Sequence, residues 1–151
     1  MGGMSTRSTR RPPASAAFVS IVQAAEEMQR GMAELLKSQD LSLAQYNVLR
    51  ILRGAGPDGA TCSHVSDSLI RHDPDVTRLL DRLDKRGLID RARDTKDRRV
   101  VRTRITKAGT ALLAELDDPV DDLHARQLGH VGNKRLADLV ALLDEARAKL
   151  P

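Results

Sequence analysis

Residues 75–109 read DVTRLLDRLDKRGLIDRARDTKDRRVVRTRITKAG, and two periodicities in succession decide the fold. At about 100° per residue, Leu79, Leu80 and Leu83 fall on the side of Val76, while Arg78, Arg82 and Lys85 fall opposite. This spacing predicts a helix with one face to bury and one face that presents cations, stopped at Gly87. Two β-like runs follow, residues 88–93 and 100–105, joined by the polar turn 94–99. In the second run Val101, Thr103 and Ile105 alternate with Arg102 and Arg104. A cation-faced helix leading into a short cationic hairpin is the second half of a winged helix-turn-helix.

The flanking residues complete that unit. Upstream, Asp73-Pro74 is a start signal for the cation-faced helix, and Thr61 is a cap for a shorter helix reaching Ile70, with Val65 and Leu69 inward. Before it, Ser42 caps a helix whose buried stripe is Leu43, Tyr46, Leu49, Ile51 and Leu52, ended by Gly54, Gly56, Pro57 and Gly59. Residues 14–37 carry Phe18, Ile21, Val22, Ala25, Met28, Met32, Leu35 and Leu36 at helical spacing. Downstream, Thr106 caps a fifth helix with Ala108, Leu112, Leu113 and Leu116, which Asp118-Pro119 is expected to break or kink. A last helix starts near Asn133, with Leu136, Leu139, Val140, Leu143 and Leu150 as its apolar face. The expected fold class is mainly α with a small β-hairpin wing, in the order ααααββαα. The expected division is a disordered basic arm at 1–13, a helix at 14–40, the winged helix-turn-helix at 41–106 and two helices at 107–151.

Composition narrows the function. The chain has 151 residues, 40% hydrophobic and 30% charged, which predicts one soluble folded domain with a core of its own. No run of about 18 apolar residues exists, so no membrane-spanning helix is expected, and the first residues lack the apolar core of a secretory signal. A single cysteine, Cys62, fits a cytoplasmic location and reads as a partly buried filler. With Phe18 and Tyr46 as the whole aromatic supply, gripping single strands by base stacking is disfavoured. The net charge is +4, and residues 90–104 hold seven bases against three acids, a surplus of the same size. Residues 112–150 hold eight acids against five bases. Cations localised in this way mark a polyanion-binding surface.

The segment LSLAQYNVLRIL (41–52), the stretch quoted above and the surrounding helices resemble the MarR family of transcriptional regulators. The likeness runs over nearly the whole chain after Pro13, and its signature is Asp97 and Arg99 of the hairpin followed by Thr106 and Gly109. The resemblance implies a homodimer built by the first and the last two helices, reading a pseudo-palindrome in double-stranded DNA. It implies that Arg99, with Arg98 second, enters the minor groove, and that Thr77 and Arg78 contact bases or phosphates. A small-molecule effector, if there is one, would sit between the dimerisation helices and the winged domain. Asp97 is expected to orient a neighbouring guanidinium. Arg82 and Lys85 share the cationic face, and His64 or His72 is placed to meet a phosphate. Asp75 either accepts from a cytosine amine or, like Asp73, caps the helix and complements its dipole.

Other chemistries find little support. The Met1, Gly2 and Thr6 match to a myristoylation pattern is short and common by chance. His124 and His130 are six residues apart, on different helix faces and without a cysteine, so neither a metal nor another cofactor is expected. Asp117, Asp118, Asp121 and Asp122 read as solvent-facing carboxylates with Asp118 as a cap, and no nucleophile elbow or phosphate loop is present; the chain is not expected to be an enzyme. The remaining alternative is a protein-interaction adaptor that keeps the fold without binding DNA, since Asp73, Asp75, Asp81 and Asp84 dilute the positive potential of the cationic helix.

Overall fold

A computed structural model describes residues 12–150. The basic arm and the lipidation pattern lie, up to residue 11, outside the described residues.

Helix α1 (Pro13–Leu36) opens with a proline at its first position, where the missing N–H costs nothing. It closes through a single 3₁₀ turn at Lys37–Gln39 and a left-handed Asp40 with φ +51°, which lets the Leu41 N–H reach the Leu36 carbonyl at 3.2 Å. Helix α2 (Leu43–Ala55) starts with a reciprocal capping box. Ser42 Oγ accepts from the Gln45 N–H at 3.1 Å, and Gln45 Oε1 accepts from the Ser42 N–H at 2.9 Å. This helix is the hub: Tyr46, Val48, Leu49 and Leu52 are buried, and it packs against α1 and against the winged unit alike.

Strand β1 (Ala60–Thr61) leads into α3 (Cys62–Ser68), then α4 (Val76–Lys85), the hairpin β2 (Ile89–Arg93) and β3 (Val101–Ile105), α5 (Lys107–Leu128) and α6 (Asn133–Ala148). The sheet order is β1-β3-β2, antiparallel throughout, with Ala60 opposite Thr103 on one side and Arg91 opposite Thr103 on the other. Thr103 is thus the centre of the sheet and is buried. The third strand, β1, is an addition to the expected hairpin. Two residues carry no period, and β1 exists because Gly59 (φ +67°) brings the chain flat against the Thr103 carbonyl, where a Cβ would come within 2.5 Å.

One core unites these elements. Leu36 of α1, Leu49 and Leu52 of α2, Val65 of α3, Leu80 and Leu83 of α4, Ile89 of β2 and Leu113 of α5 are all sealed from solvent. Each such side chain contributes about 1.5–3 kcal/mol by its burial. Thr106 joins the wing to α5: its Oγ1 donates to the Gly87 carbonyl at 2.7 Å and accepts from the Gly109 N–H at 3.1 Å. Gly109 packs so closely that a Cβ there would overlap the Leu88 carbonyl.

Three sequence expectations are corrected. Helix α3 ends at Ser68, and Leu69 turns extended (φ −64°, ψ 135°) while still packing on the core. Helix α4 starts at Val76 with Asp75 as the cap; Asp73-Pro74 forms the turn before it, where Asp73 Oδ1 accepts from the Asp75 N–H at 2.8 Å. Helix α5 runs unbroken through Pro119, because Leu116 and Val120 on either side are buried and the loss of one backbone bond is outweighed. Asp118 therefore lies inside a helix and is no cap.

Among the described residues, α1 and α6 leave apolar surface uncovered. Phe18 is 67% exposed, Ile21 and Val22 are each 47% exposed, and α6 buries none of its residues, with Val140 and Leu142 open to solvent.

Candidate nucleic-acid interface

Helix α4 divides as its period dictates. Val76, Leu79, Leu80 and Leu83 are buried against the core, and Thr77, Arg78, Arg82 and Lys85 are exposed. The seam seats the helix by apolar contact, which leaves Thr77, Arg78, Arg82 and Lys85 on its outer face. His64, two residues past the start of α3, is also exposed; its backbone N–H is held by Thr61 Oγ1 at 3.1 Å and its ring bonds to no described residue. Asp75 spends both carboxylate oxygens locally: Oδ1 accepts from the Arg78 N–H at 3.2 Å, and Oδ2 lies 3.4 Å from Arg78 Nε.

The hairpin tip neutralises its acids internally. Asp94 Oδ2 accepts from Arg102 Nε at 2.6 Å and Oδ1 from the Lys96 N–H at 2.8 Å. The Arg102 bond first, and the Lys96 N–H second, hold the Asp94 carboxyl below the usual carboxylate range, while Asp94 raises Arg102 in return. Asp97 does not grip a guanidinium as expected. Its Oδ1 accepts from the Arg99 backbone N–H at 3.0 Å, because a carboxylate two residues upstream reaches the main chain first. The Arg98 carbonyl accepts from Arg93 Nη1 at 3.3 Å. With those bonds made, Lys96, Arg98 and Arg99 project as exposed cations that form no ion pair with any described residue.

Polar pairs that sequence reasoning missed brace the hairpin, the end of α4 and the α2–α5 contact. Asp94 reaches diagonally across the hairpin to Arg102, whose register partner is Ala92, a pairing legible only once that register is known. Arg86, the C-cap of α4, donates from Nη1 to the Asp40 carbonyl at 2.6 Å and from Nη2 to the Gln39 carbonyl at 2.9 Å. Arg53 of α2 and Asp117 of α5 form a two-bond pair at 2.8 and 2.9 Å, so Asp117 is no idle surface acid. The Arg53 hydrogen bond lowers the Asp117 carboxyl and the aspartate raises Arg53.

Between the start of α2 and the second half of α4 lies an open cleft of about 550 Å³, bordered by Lys37, Ser42, Gln45, Arg82, Lys85 and Arg86. Among the described residues no three His, Cys, Asp or Glu side chains converge on a point that would hold a metal, and no helix is long and apolar enough to cross a membrane. Cys62 is partly buried at the start of α3.

Residues 41–101 match the model of the MarR family. The crystal structure of a MarR transcription factor from Planctomyces limnophilus is 38% identical, covers 89% of this chain and 97% of its own, and superposes with a TM-score of 0.69. A mutant of MarR from E. coli, solved in complex with operator DNA, is 28% identical with a TM-score of 0.75 over 87% of this chain and 91% of its own. The transcriptional repressor IacR of Pseudomonas putida is 27% identical over 115 residues, 76% of this chain and 68% of that protein.

Proposed function

The chain belongs to the MarR family of transcriptional regulators, and from that premise we propose that two copies bind a pseudo-palindromic stretch of double-stranded DNA as a homodimer and repress by occupancy. The observation that carries this reading is the exposed Thr77, Arg78, Arg82 and Lys85 face of a helix whose opposite side is locked into the core. Two such helices enter successive major grooves about 34–36 Å apart. Arg78 and Arg82 then meet base edges, and Thr77, Lys85 and His64 meet phosphates. Arg99 and Arg98 of each wing, which pair with no described residue, reach the flanking minor groove, where negative potential is concentrated. Asp97 sets the main chain under Arg99. Likeness to a protein solved on operator DNA and to a named repressor supports the same reading.

The uncovered apolar faces of α1 and α6 supply the surface that a second copy buries. A small-molecule effector acts at the joint between this dimer lobe and the winged unit. By favouring a half-site spacing that DNA does not match, it releases the operator through a population shift. The protein works in the cytoplasm, in keeping with its one unpaired cysteine.

Gel-shift titration of duplex DNA at two salt concentrations tests the proposal. Binding that weakens steeply with salt, because it releases counterions from the DNA, is the expected result. Negligible binding at both salts overturns it and favours the adaptor reading.

A further inference from the structure

We infer that Asp75 is a positioning residue for base recognition, a tether that holds Arg78 on a base edge and away from the phosphate backbone. The inference rests on the reading of α4 as the base-reading helix. Asp75 is itself immobilised. Its N–H is bonded to Asp73 Oδ1 at 2.8 Å, and Pro74 between them has a fixed φ. Its Oδ1 caps the helix through the Arg78 N–H at 3.2 Å, which aims Oδ2 at the same residue's side chain, 3.4 Å from Nε.

One carboxylate thus holds the main chain and the guanidinium of a single residue. It uses only the Nε side, and the two terminal nitrogens of Arg78 make no bond to any described residue. Those two donors fit the O6 and N7 acceptors of guanine.

Exposure decides what the pair is for. With side chains 75% and 50% exposed, it adds almost nothing to the stability of the free protein. A duplex excludes that water, and the same pair then acts in a drier place, where electrostatic attraction is stronger. Most arginine contacts to DNA go to phosphates and carry no sequence information. A free Arg78 has that choice; an Arg78 held by Asp75 loses it, and the acid itself repels the backbone. The acidic front of this helix therefore exchanges non-specific affinity for discrimination.

Asp75→Ser and Asp75→Asn separate this role from capping, since Ser, Asn and Asp are comparable caps. Bound sequences are selected from a random duplex library with the full-length protein and both variants, and affinity for a non-cognate duplex is measured against salt. Both variants are expected to melt with the wild type. Asp75→Ser is expected to lose preference for one guanine in each half-site and to bind non-cognate DNA more tightly. Its specific-to-non-specific ratio should fall about tenfold, within the range of one two-bond guanine contact. Its salt slope on non-cognate DNA should steepen by about one per protomer. Unchanged preference and unchanged non-cognate binding in both variants overturn the inference while leaving the function intact. A wild type without sequence preference, or Arg78→Ala with the wild-type preference, overturns the reading of α4 itself.

Discussion

Arg91 of β2 lies 2.5 Å from Asp81 of α4, so the root of the wing is pinned to the middle of the helix it accompanies. The wing is therefore not an independent finger, and its angle to α4 is set in part by one ion pair on their shared border.

That pair is half open to solvent, with side chains 26% and 48% exposed. Asp81→Asn is expected to lower unfolding stability by at most about 1 kcal/mol, read from urea denaturation. Amide exchange along β2 should rise more than that loss implies. A cost above about 3 kcal/mol would mean that the pair behaves as a buried one.

Arg99→Ala removes a cation whose side chain has no partner among the described residues, so the melting temperature should not move. Operator affinity should fall strongly, with a log–log salt slope shallower by about one per protomer. Undiminished binding by gel shift would take the wing out of the interface.

The Arg53–Asp117 pair gives acid sensitivity a direction. In the folded chain the Asp117 carboxyl is held below its ordinary range. Its contribution to stability is thus complete above that range and lost as the pH falls through the lowered value. Wild type should exceed Asp117→Asn in stability by about 1 kcal/mol near neutrality. The gap should close as acid takes the pH below the ordinary carboxylate range and through the lowered value. A gap that widens in acid would reverse the assignment.

Phe18→Asp with Val140→Asp places charge on the two uncovered apolar faces. Sedimentation should show the wild type as a dimer and the double variant as a monomer, with operator binding lost alongside. A monomeric wild type at micromolar concentration would remove the dimer from the proposal.

Much of this molecule is legible in its residues, and the failures share a cause. The seam of α4, the caps Ser42, Thr61 and Thr106, and the hairpin all follow from spacing and from side chains acting on their own backbone. Partners set by tertiary contact do not: β1 is created by β3, α5 survives Pro119 because Leu116 and Val120 are buried, and Asp117 is claimed by a residue 64 positions away. Asp73 and Asp97 mislead at closer range. Asp73 takes the Asp75 N–H and so caps the turn and not the helix, and Asp97 takes the Arg99 N–H and not a guanidinium, because a main-chain N–H two residues on lies within reach of each carboxylate. Phe18, Ile21 and Val140 have the right period for burial, yet the described residues of a single chain leave them exposed.

Arg86 carries a mechanical implication. Its two bonds to the Gln39 and Asp40 carbonyls moor the trailing end of α4 to the turn that follows α1. A tilt of α1 is therefore expected to be passed to α4 through this one side chain.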